Sequence, residues 1–126
     1  MSYSDTFIAA SEDCPMVGEA PPNGKRSIAE IQYAMLVEQP YRFTQDDVLF
    51  ESSAERLAGE EGDREAFFSR PQACLRCSPL VKRWGWGIHF DSEGRAAAYA
   101  KGSPEYAKLA DDSSLAQTRG MRAKRG

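Results

Sequence analysis

The stretch from Lys82 to Asp91, KRWGWGIHFD, is the feature that most constrains how this chain can fold. Every second residue in it is large and apolar, namely Trp84, Trp86, Ile88 and Phe90. An alternation with period two is typical of a β-strand. The turn sequence DSEG follows, and then the stretch RAAAYA. Because Asp and Gly favour a tight hairpin turn, the pattern predicts paired antiparallel strands over Trp86–Phe90 and Arg95–Ala100.

Two elements are predicted upstream of this hairpin from local signals. The stretch Thr6–Ala10, TFIAA, is short, apolar and rich in strand formers, so it predicts a strand. Ser27 and Glu30 have the spacing of a capping box, and the helix that they begin is expected to end before Pro40. The buried face of this helix is expected to hold Ile28, Ile31, Met35 and Leu36.

The remaining predicted elements are helices. The capping spacing recurs at Thr44, which predicts a second helix with Gly59 at its C-cap; a strand over Val48–Phe50 is the alternative. A short helix is predicted over Arg64–Arg70. The Ser-Pro pair at Ser103 is typical of an N-cap followed by the first helical residue, and it predicts the last helix.

The order of these elements predicts an α+β fold with a small antiparallel sheet. The sheet would combine the N-terminal strand with the C-terminal hairpin, and three to four helices would pack against one of its faces. A chain of 126 residues has the length of a single domain, here 1–126. Residues 1–4 and 113–126 are expected to be flexible ends.

Charge and composition argue against several classes of function. A net charge of -3 disfavours general nucleic-acid binding, although the basic end Arg119–Gly126 could contact phosphate if it is not simply a solvated terminus. No signal peptide is evident, and no stretch approaches the roughly 20 apolar residues of a membrane helix. Three cysteines, an odd number, do not form a disulfide framework. Free thiols in a reducing cytoplasm are the simplest interpretation.

The tryptophan strand is the best candidate for a binding site. One interpretation is that Trp84 and Trp86 anchor the core. The other is that Gly85 and Gly87 leave the opposite face of the strand open to a ligand. His89 would then project into the open space, as the only side chain there with an unperturbed pKa near neutrality. A structural imidazole is the alternative role for His89.

Cations flank the same strand. Lys82 and Arg83 would lie at the mouth of the site, where they could hold an anion, and Arg76 could join them. The expected ligand-binding residues are therefore Arg76, Lys82, Arg83, Trp84, Trp86 and His89.

The motif CLRC, Cys74–Cys77, has the spacing of zinc and redox sites. Together with Cys14 and His89 it could complete a set of three thiolates and one imidazole. The motif lies between two prolines, however, and not at the start of a helix in a βαβ unit, where redox cysteines are activated. Free thiols are favoured, and neither a metal nor another cofactor is predicted.

Four segments resemble a family of small microbial proteins: DTFI-A--DCP, QPYRFTQDDVLFE, FFSRPQACLR-SPL and KRWGWGIHFD-EG. They are similar to domain of unknown function family 6157, and the similarity runs from Tyr3 to about Asp112. The resemblance implies no established activity. The family pattern has alanine where this chain has Cys77, so the resemblance implies neither a zinc site nor a dithiol. The chain also looks shorter than the family between Leu57 and Arg64.

The leading hypothesis is a non-enzymatic module that binds a small molecule or a protein partner beside the strand Trp84–His89. The alternative is an enzyme in which His89 is the general acid or base and Cys74 is the nucleophile. That alternative requires the two side chains within hydrogen-bond reach of each other. Nucleic-acid binding through Arg119–Gly126 is a third hypothesis, and it requires a salt-sensitive association.

Overall fold

The fold combines one mixed β-sheet with helices on both of its faces. A computed structural model describes residues 3–53, 56 and 64–122. The strands in these residues are β1 (Thr6–Ala9), β2 (Phe43–Thr44), β3 (Trp86–Phe90), β4 (Arg95–Ala100) and β5 (Ala116–Arg119). The helices are α1 (Ile28–Leu36), α2 (Gln45–Glu51), α3 (Arg64–Phe68) and α4 (Pro104–Ala110). A 3-10 turn at Leu75–Cys77 and a π-helical turn at Leu80–Trp84 precede β3.

The strands follow the order β2-β4-β3-β1-β5 across the sheet. β1 runs antiparallel to β3 and parallel to β5, while β2 and β3 are both antiparallel to β4. The α+β class is therefore confirmed, but the sheet is mixed and has five strands, so it is larger than the antiparallel sheet predicted. β5 falls within residues 113–126, for which a flexible end was expected; its sequence AQTR is short and polar, and so carries no strand signal.

The predicted hairpin is confirmed. Trp86 pairs with Ala100 and Phe90 pairs with Ala96, which makes β3 and β4 antiparallel neighbours. The Asp91 carboxylate stabilises the turn, because its Oδ1 accepts the N–H groups of residues 93 and 95, each at 2.9 Å. The strand begins at Trp86, so the expected continuation of the strand back to Trp84 is wrong. The π-helical turn holds Trp84 instead.

Both capping predictions in the first half of the chain are confirmed. The Ser27 hydroxyl accepts the N–H of Glu30 at 3.1 Å at the start of α1. At the start of α2, Thr44 and Asp47 bond reciprocally to each other's backbone N–H, so this segment is a helix and the alternative strand is wrong. The expected C-cap at Gly59 lies outside the described residues.

One face of the sheet packs against α1 and α2. The fully buried side chains there include Ile8, Leu36, Val48, Leu75, Leu80, Ile88 and Phe90. Met35 of α1 is also buried, but 41% of Ile28 is exposed, so Ile28 does not share the buried face that was expected for it.

The other face of the sheet packs against α4. The ring of Tyr106 meets the ring of Phe7 edge-on, with 5.1 Å between their centroids, and it lies over Gly87 of β3. Phe7 and Gly87 belong to the face opposite to Ile8 and Ile88, because strand side chains alternate. Helices therefore cover both faces of the sheet, and the prediction that they pack on one face is wrong.

Candidate functional site

The sheet separates the two tryptophans of the candidate site from its histidine. Trp86 and His89 are three residues apart on β3, so their side chains project from opposite faces. Trp86 belongs to the core cluster on the α1 side, and Trp84 packs against the same cluster. His89 lies on the α4 side. The predicted site residues therefore form two separate groups.

Trp86 anchors the core. Only 8% of its surface is exposed, and its indole Nε1 donates a hydrogen bond to the carbonyl oxygen of Glu19 at 2.8 Å. The ring of Tyr33 in α1 meets the indole edge-on, with 5.5 Å between the centroids. A large ring that is buried with its one polar group satisfied contributes mainly to packing.

The two glycines beside the tryptophans do not leave an open strand face. Gly85 has φ of 80°, which lets it end the π-helical turn, and a Cβ there would collide with the backbone of Met16. At Gly87, a Cβ would lie 2.6 Å from the ring of Phe7 and 2.7 Å from the ring of Tyr106. Neighbouring parts of the same chain fill the space that was expected for a ligand.

His89 is part of a hydrogen-bonded cluster with two tyrosines. Its Nδ1 lies 2.7 Å from the hydroxyl oxygen of Tyr41, which lies 2.8 Å from the hydroxyl oxygen of Tyr99. Tyr41 reaches this position from the loop before β2, with φ of 60°, a conformation that is unusual for a bulky residue. The cluster gives His89 the satisfied, half-buried environment of a structural imidazole.

Burial sets the ionisation of this cluster. Desolvation lowers the pKa of His89, against the opposing effect of the carboxylates of Asp91, Asp112 and Asp5. Burial also raises the pKa of Tyr41, and its hydrogen bond with Tyr99 raises it further. Both shifts favour the neutral forms, so at pH 7 the phenol of Tyr41 is protonated and the imidazole of His89 is uncharged.

The structure does not bring His89 and Cys74 together. The Sγ of Cys74 lies 3.4 Å from the hydroxyl oxygen of Tyr3, whose ring packs on Phe90, on the α1 side of the sheet. His89 interacts with Tyr41 on the opposite side. Each of the two side chains has a different tyrosine as its partner, so they do not form a nucleophile and base pair.

The cysteines do not gather into a metal site. Cys14 is buried, Cys74 and Cys77 are half-buried, and all three thiols are free. Among the described residues, no group of three or more Cys, His, Asp or Glu side chains is placed to hold a metal ion.

A surface groove beside Trp84 brings together part of the predicted site. Its volume is about 380 Å³, and most of its wall is apolar. It lies between the start of α1, the preceding loop and the π-helical turn. Its lining residues are Pro22, Lys25, Ser27, Ile28, Ala29, Pro79, Arg83 and Trp84.

The groove combines exposed apolar surface with two cations. Ile28 is 41% exposed and Trp84 is half-buried, so both present apolar surface to solvent. Lys25 and Arg83 are exposed, and neither forms an ion pair within the described part of the chain. An apolar cleft with two exposed cations suits a ligand that has an apolar body and a negative charge.

Glu30 fixes the loop that carries one of these cations. Its carboxylate accepts the backbone N–H groups of Gly24, Lys25 and Arg26, at 2.7, 3.0 and 2.7 Å. The hydrogen bond from Gly24 is the largest cause of a lowered pKa at Glu30, so the carboxylate stays charged at neutral pH. The wall of the groove therefore has a defined backbone position.

The other predicted cations lie elsewhere. Arg76 belongs to the 3-10 turn, and its Nε donates to the carbonyl oxygen of Arg119 at 2.6 Å. Lys82 is half-buried in the π-helical turn, next to Arg83 in sequence. The groove also uses residues that were not expected at a site, above all Lys25 and Ile28. The exposure of Ile28 could have been foreseen from the sequence, because an apolar residue at the first position of a helix need not face the core.

The described residues thus form an α+β protein with an apolar surface groove that carries two cations. The whole chain, residues 1–126, matches the model of a family of unknown function (DUF6157), and the chain belongs to this family. No curated protein and no solved structure matches it. Within the described residues, none of the helices has the length and apolar character that crossing a bilayer requires.

Proposed function

We propose that this protein is a non-enzymatic binding module for a small molecule that has an apolar body and a negatively charged group. The ligand would occupy the groove beside Trp84, with its apolar part against Ile28 and Trp84. Its anionic group would meet Lys25 and Arg83. The juxtaposition of two exposed cations, which form no ion pair among the described residues, with exposed apolar surface carries the proposal.

The size of the groove favours a small molecule over a protein partner. Ligand pockets commonly have volumes of about 300–1,000 Å³, and the groove, at about 380 Å³, falls at the lower end of this range. The ligand is therefore expected to be compact, with one anionic group. A cytoplasmic setting remains the simplest prediction for such a module with free thiols.

Binding is favoured over catalysis by the separation of the reactive side chains. The enzymatic alternative needs the imidazole of His89 to activate the thiol of Cys74. The imidazole of His89 has Tyr41 as its partner, and the thiol of Cys74 has Tyr3. The sheet lies between the imidazole and the thiol. Trp84 and Arg83 thus remain the predicted binding residues, whereas His89 has a structural role in this proposal.

Calorimetric titration with simple anionic probes tests the proposal. Octanoate, indole-3-carboxylate and phenyl phosphate would each be compared with an uncharged analogue of the same apolar body. We expect saturable binding of at least one anion and much weaker binding of its analogue. The carboxylate and phosphate probes show which anionic group the two cations prefer.

Charge-neutralising variants locate the site. Arg83→Gln and Lys25→Gln are each expected to weaken binding about tenfold, since a hydrogen bond to a charged group contributes roughly 1.5–3 kcal/mol. Lys108→Gln is the matched control, because Lys108 is an exposed cation on α4, at the opposite face of the sheet. Absence of binding by all three anions, or equal binding by the Arg83 and Lys108 variants, would refute the proposal.

A further inference from the structure

The segment Cys74–Cys77 carries two thiols that do not line the groove. Both of its thiols are free and half-exposed, whereas the third cysteine, Cys14, is only 4% exposed. A small oxidant can therefore reach Cys74 and Cys77 in the folded protein and is hindered from reaching Cys14.

The backbone already places the two thiols at the ends of one tight turn. The N–H of Cys77 donates to the carbonyl oxygen of Cys74 at 3.0 Å, which closes a turn of four residues. The first and fourth Cα atoms of such a turn are less than about 7 Å apart. Disulfides span Cα separations of about 4.4–6.8 Å, so the turn brings the two cysteines within the Cα range that a disulfide needs.

Buried groups hold this turn in place. Leu75 is fully buried, and its N–H donates to the side-chain oxygen of Gln45 at 3.0 Å. Its carbonyl oxygen accepts the N–H of Ser78 at 3.0 Å. The fold therefore keeps the two cysteines close, and part of the entropic cost of joining them is met in the native state.

We propose that Cys74 and Cys77 form a dithiol site that a low-molecular-weight disulfide oxidises reversibly. One thiol loses its proton and attacks a sulfur of the small disulfide, which gives a mixed disulfide and releases one small thiolate. The second protein thiol loses its proton and attacks the protein sulfur of that mixed disulfide. It forms the Cys74–Cys77 bond and releases the second small thiolate. The dithiol is oxidised by two electrons, the small disulfide is reduced to two thiols, and the two protons pass to the released thiolates.

The turn also connects the two ends of the described chain. The Cys74 sulfur is the hydrogen-bond partner of Tyr3, and the carbonyl oxygen of Arg76 accepts the N–H of Met121 at 2.7 Å. Oxidation removes the thiol proton, so the sulfur can then only accept from the Tyr3 hydroxyl. The site is thus placed to alter the contacts of the N-terminal segment and of the chain after β5.

Redox titration of the full chain tests this site. The protein would be equilibrated with mixtures of oxidised and reduced glutathione, quenched in acid, alkylated and digested with trypsin, which cleaves after Arg76. We expect the two peptides that flank Arg76 to appear joined by a disulfide, with Cys14 alkylated throughout. The bond should form at an about tenfold lower proportion of oxidised glutathione in the folded protein than in urea, where the turn is lost.

Cys77→Ala is the matched variant, because it removes the second thiol of the turn and keeps Cys74. This variant should give only a mixed disulfide at Cys74, reversed by a reductant. If no joined peptides were found at any glutathione ratio, the inference would be overturned. So would a disulfide that forms as readily in urea as in the folded chain. Neither result depends on whether the groove binds an anion.

Discussion

The hydroxyl oxygen of Tyr41 lies 2.7 Å from Nδ1 of His89, across a sequence separation of 48 residues. This contact places the chain's single histidine in a half-buried cluster of hydroxyl groups on the face of the sheet that packs against α4. It explains how a polar side chain can face inward at this position. It also makes the ionisation of His89 a sensitive probe of the fold.

Lowering the pH is expected to destabilise the protein through His89. Burial lowers the pKa of His89 in the folded state, so the unfolded chain binds its proton more readily. The stability contributed by the neutral imidazole is complete above the unfolded pKa of about 6.5, and it is lost as the pH falls below that value. Urea unfolding at pH 7.5 and at 5.5 measures the effect, with His89→Gln as the control that should respond less. An imidazole pKa at or above 6.5 by NMR would contradict this explanation.

Gly87→Ala is expected to destabilise the protein by about 1–3 kcal/mol, since the added methyl group overpacks the contact between Phe7 and Tyr106. Gly102→Ala is the control, because a Cβ at Gly102 meets nothing closer than 3.7 Å, and its effect should stay within about 0.5 kcal/mol. Chemical denaturation of both variants measures the difference. Equal stability of the two variants would show that Tyr106 does not lie over Gly87.

A buried hydrogen-bond network that joins Gln32 of α1 to Ser52 and Ser78 should behave cooperatively. The Ser78 hydroxyl donates to the side-chain oxygen of Gln32 at 2.6 Å, and the Gln32 amide donates to Ser52 at 3.0 Å. Ser78→Ala leaves a buried amide oxygen without its donor, which costs about 1–3 kcal/mol. Gln32→Leu should cost a similar amount. In a double-mutant cycle, the combined variant should lose less than the sum of the two single losses; strict additivity would mean that the two side chains do not interact.

Glu30→Ala is expected to weaken ligand binding without contacting the ligand. The carboxylate holds the backbone at Lys25, so its removal lowers the fraction of molecules in which the groove is formed. We expect a roughly threefold to tenfold weaker affinity for the anionic probe, measured by calorimetry. Glu12→Ala, at an exposed acidic residue that does not line the groove, serves as the control. Unchanged affinity in the Glu30 variant would show that the loop keeps its position without the carboxylate.

Local signals predicted the elements whose structure depends on nearby residues. The hairpin after Phe90 and the helices capped at Ser27 and Thr44 depend on side chains within four residues of the backbone groups that they satisfy. β5 pairs with β1 from the other end of the chain, and β2 has only two residues. Such strands are determined by distant partners, so a sequence window does not reveal them.

The candidate site was also predictable only where its residues are neighbours in the sequence. Arg83 and Trp84 were recognised because cations and aromatic residues cluster in that stretch. The alternation of apolar residues predicted that Trp84 belongs to the strand. In the structure, Gly85 has a left-handed backbone and ends a π-helical turn, so the strand begins only after it. Lys25 joins the groove only through the loop held by Glu30, and Tyr41 reaches His89 only through the folded sheet. Neither contact has a local sequence signature.

The position of β1 has a consequence for the order in which the fold can form. Thr6 pairs with Phe90 on one side and with Ala116 on the other, so β1, which comes before its partners in the chain, is an interior strand of the sheet. During translation, its apolar residues Phe7 and Ile8 emerge from the ribosome long before either partner exists. Contacts between such distant residues form slowly, because the intervening chain must be closed into a loop first. The nascent chain therefore exposes an unpaired apolar strand until β3 has been synthesised.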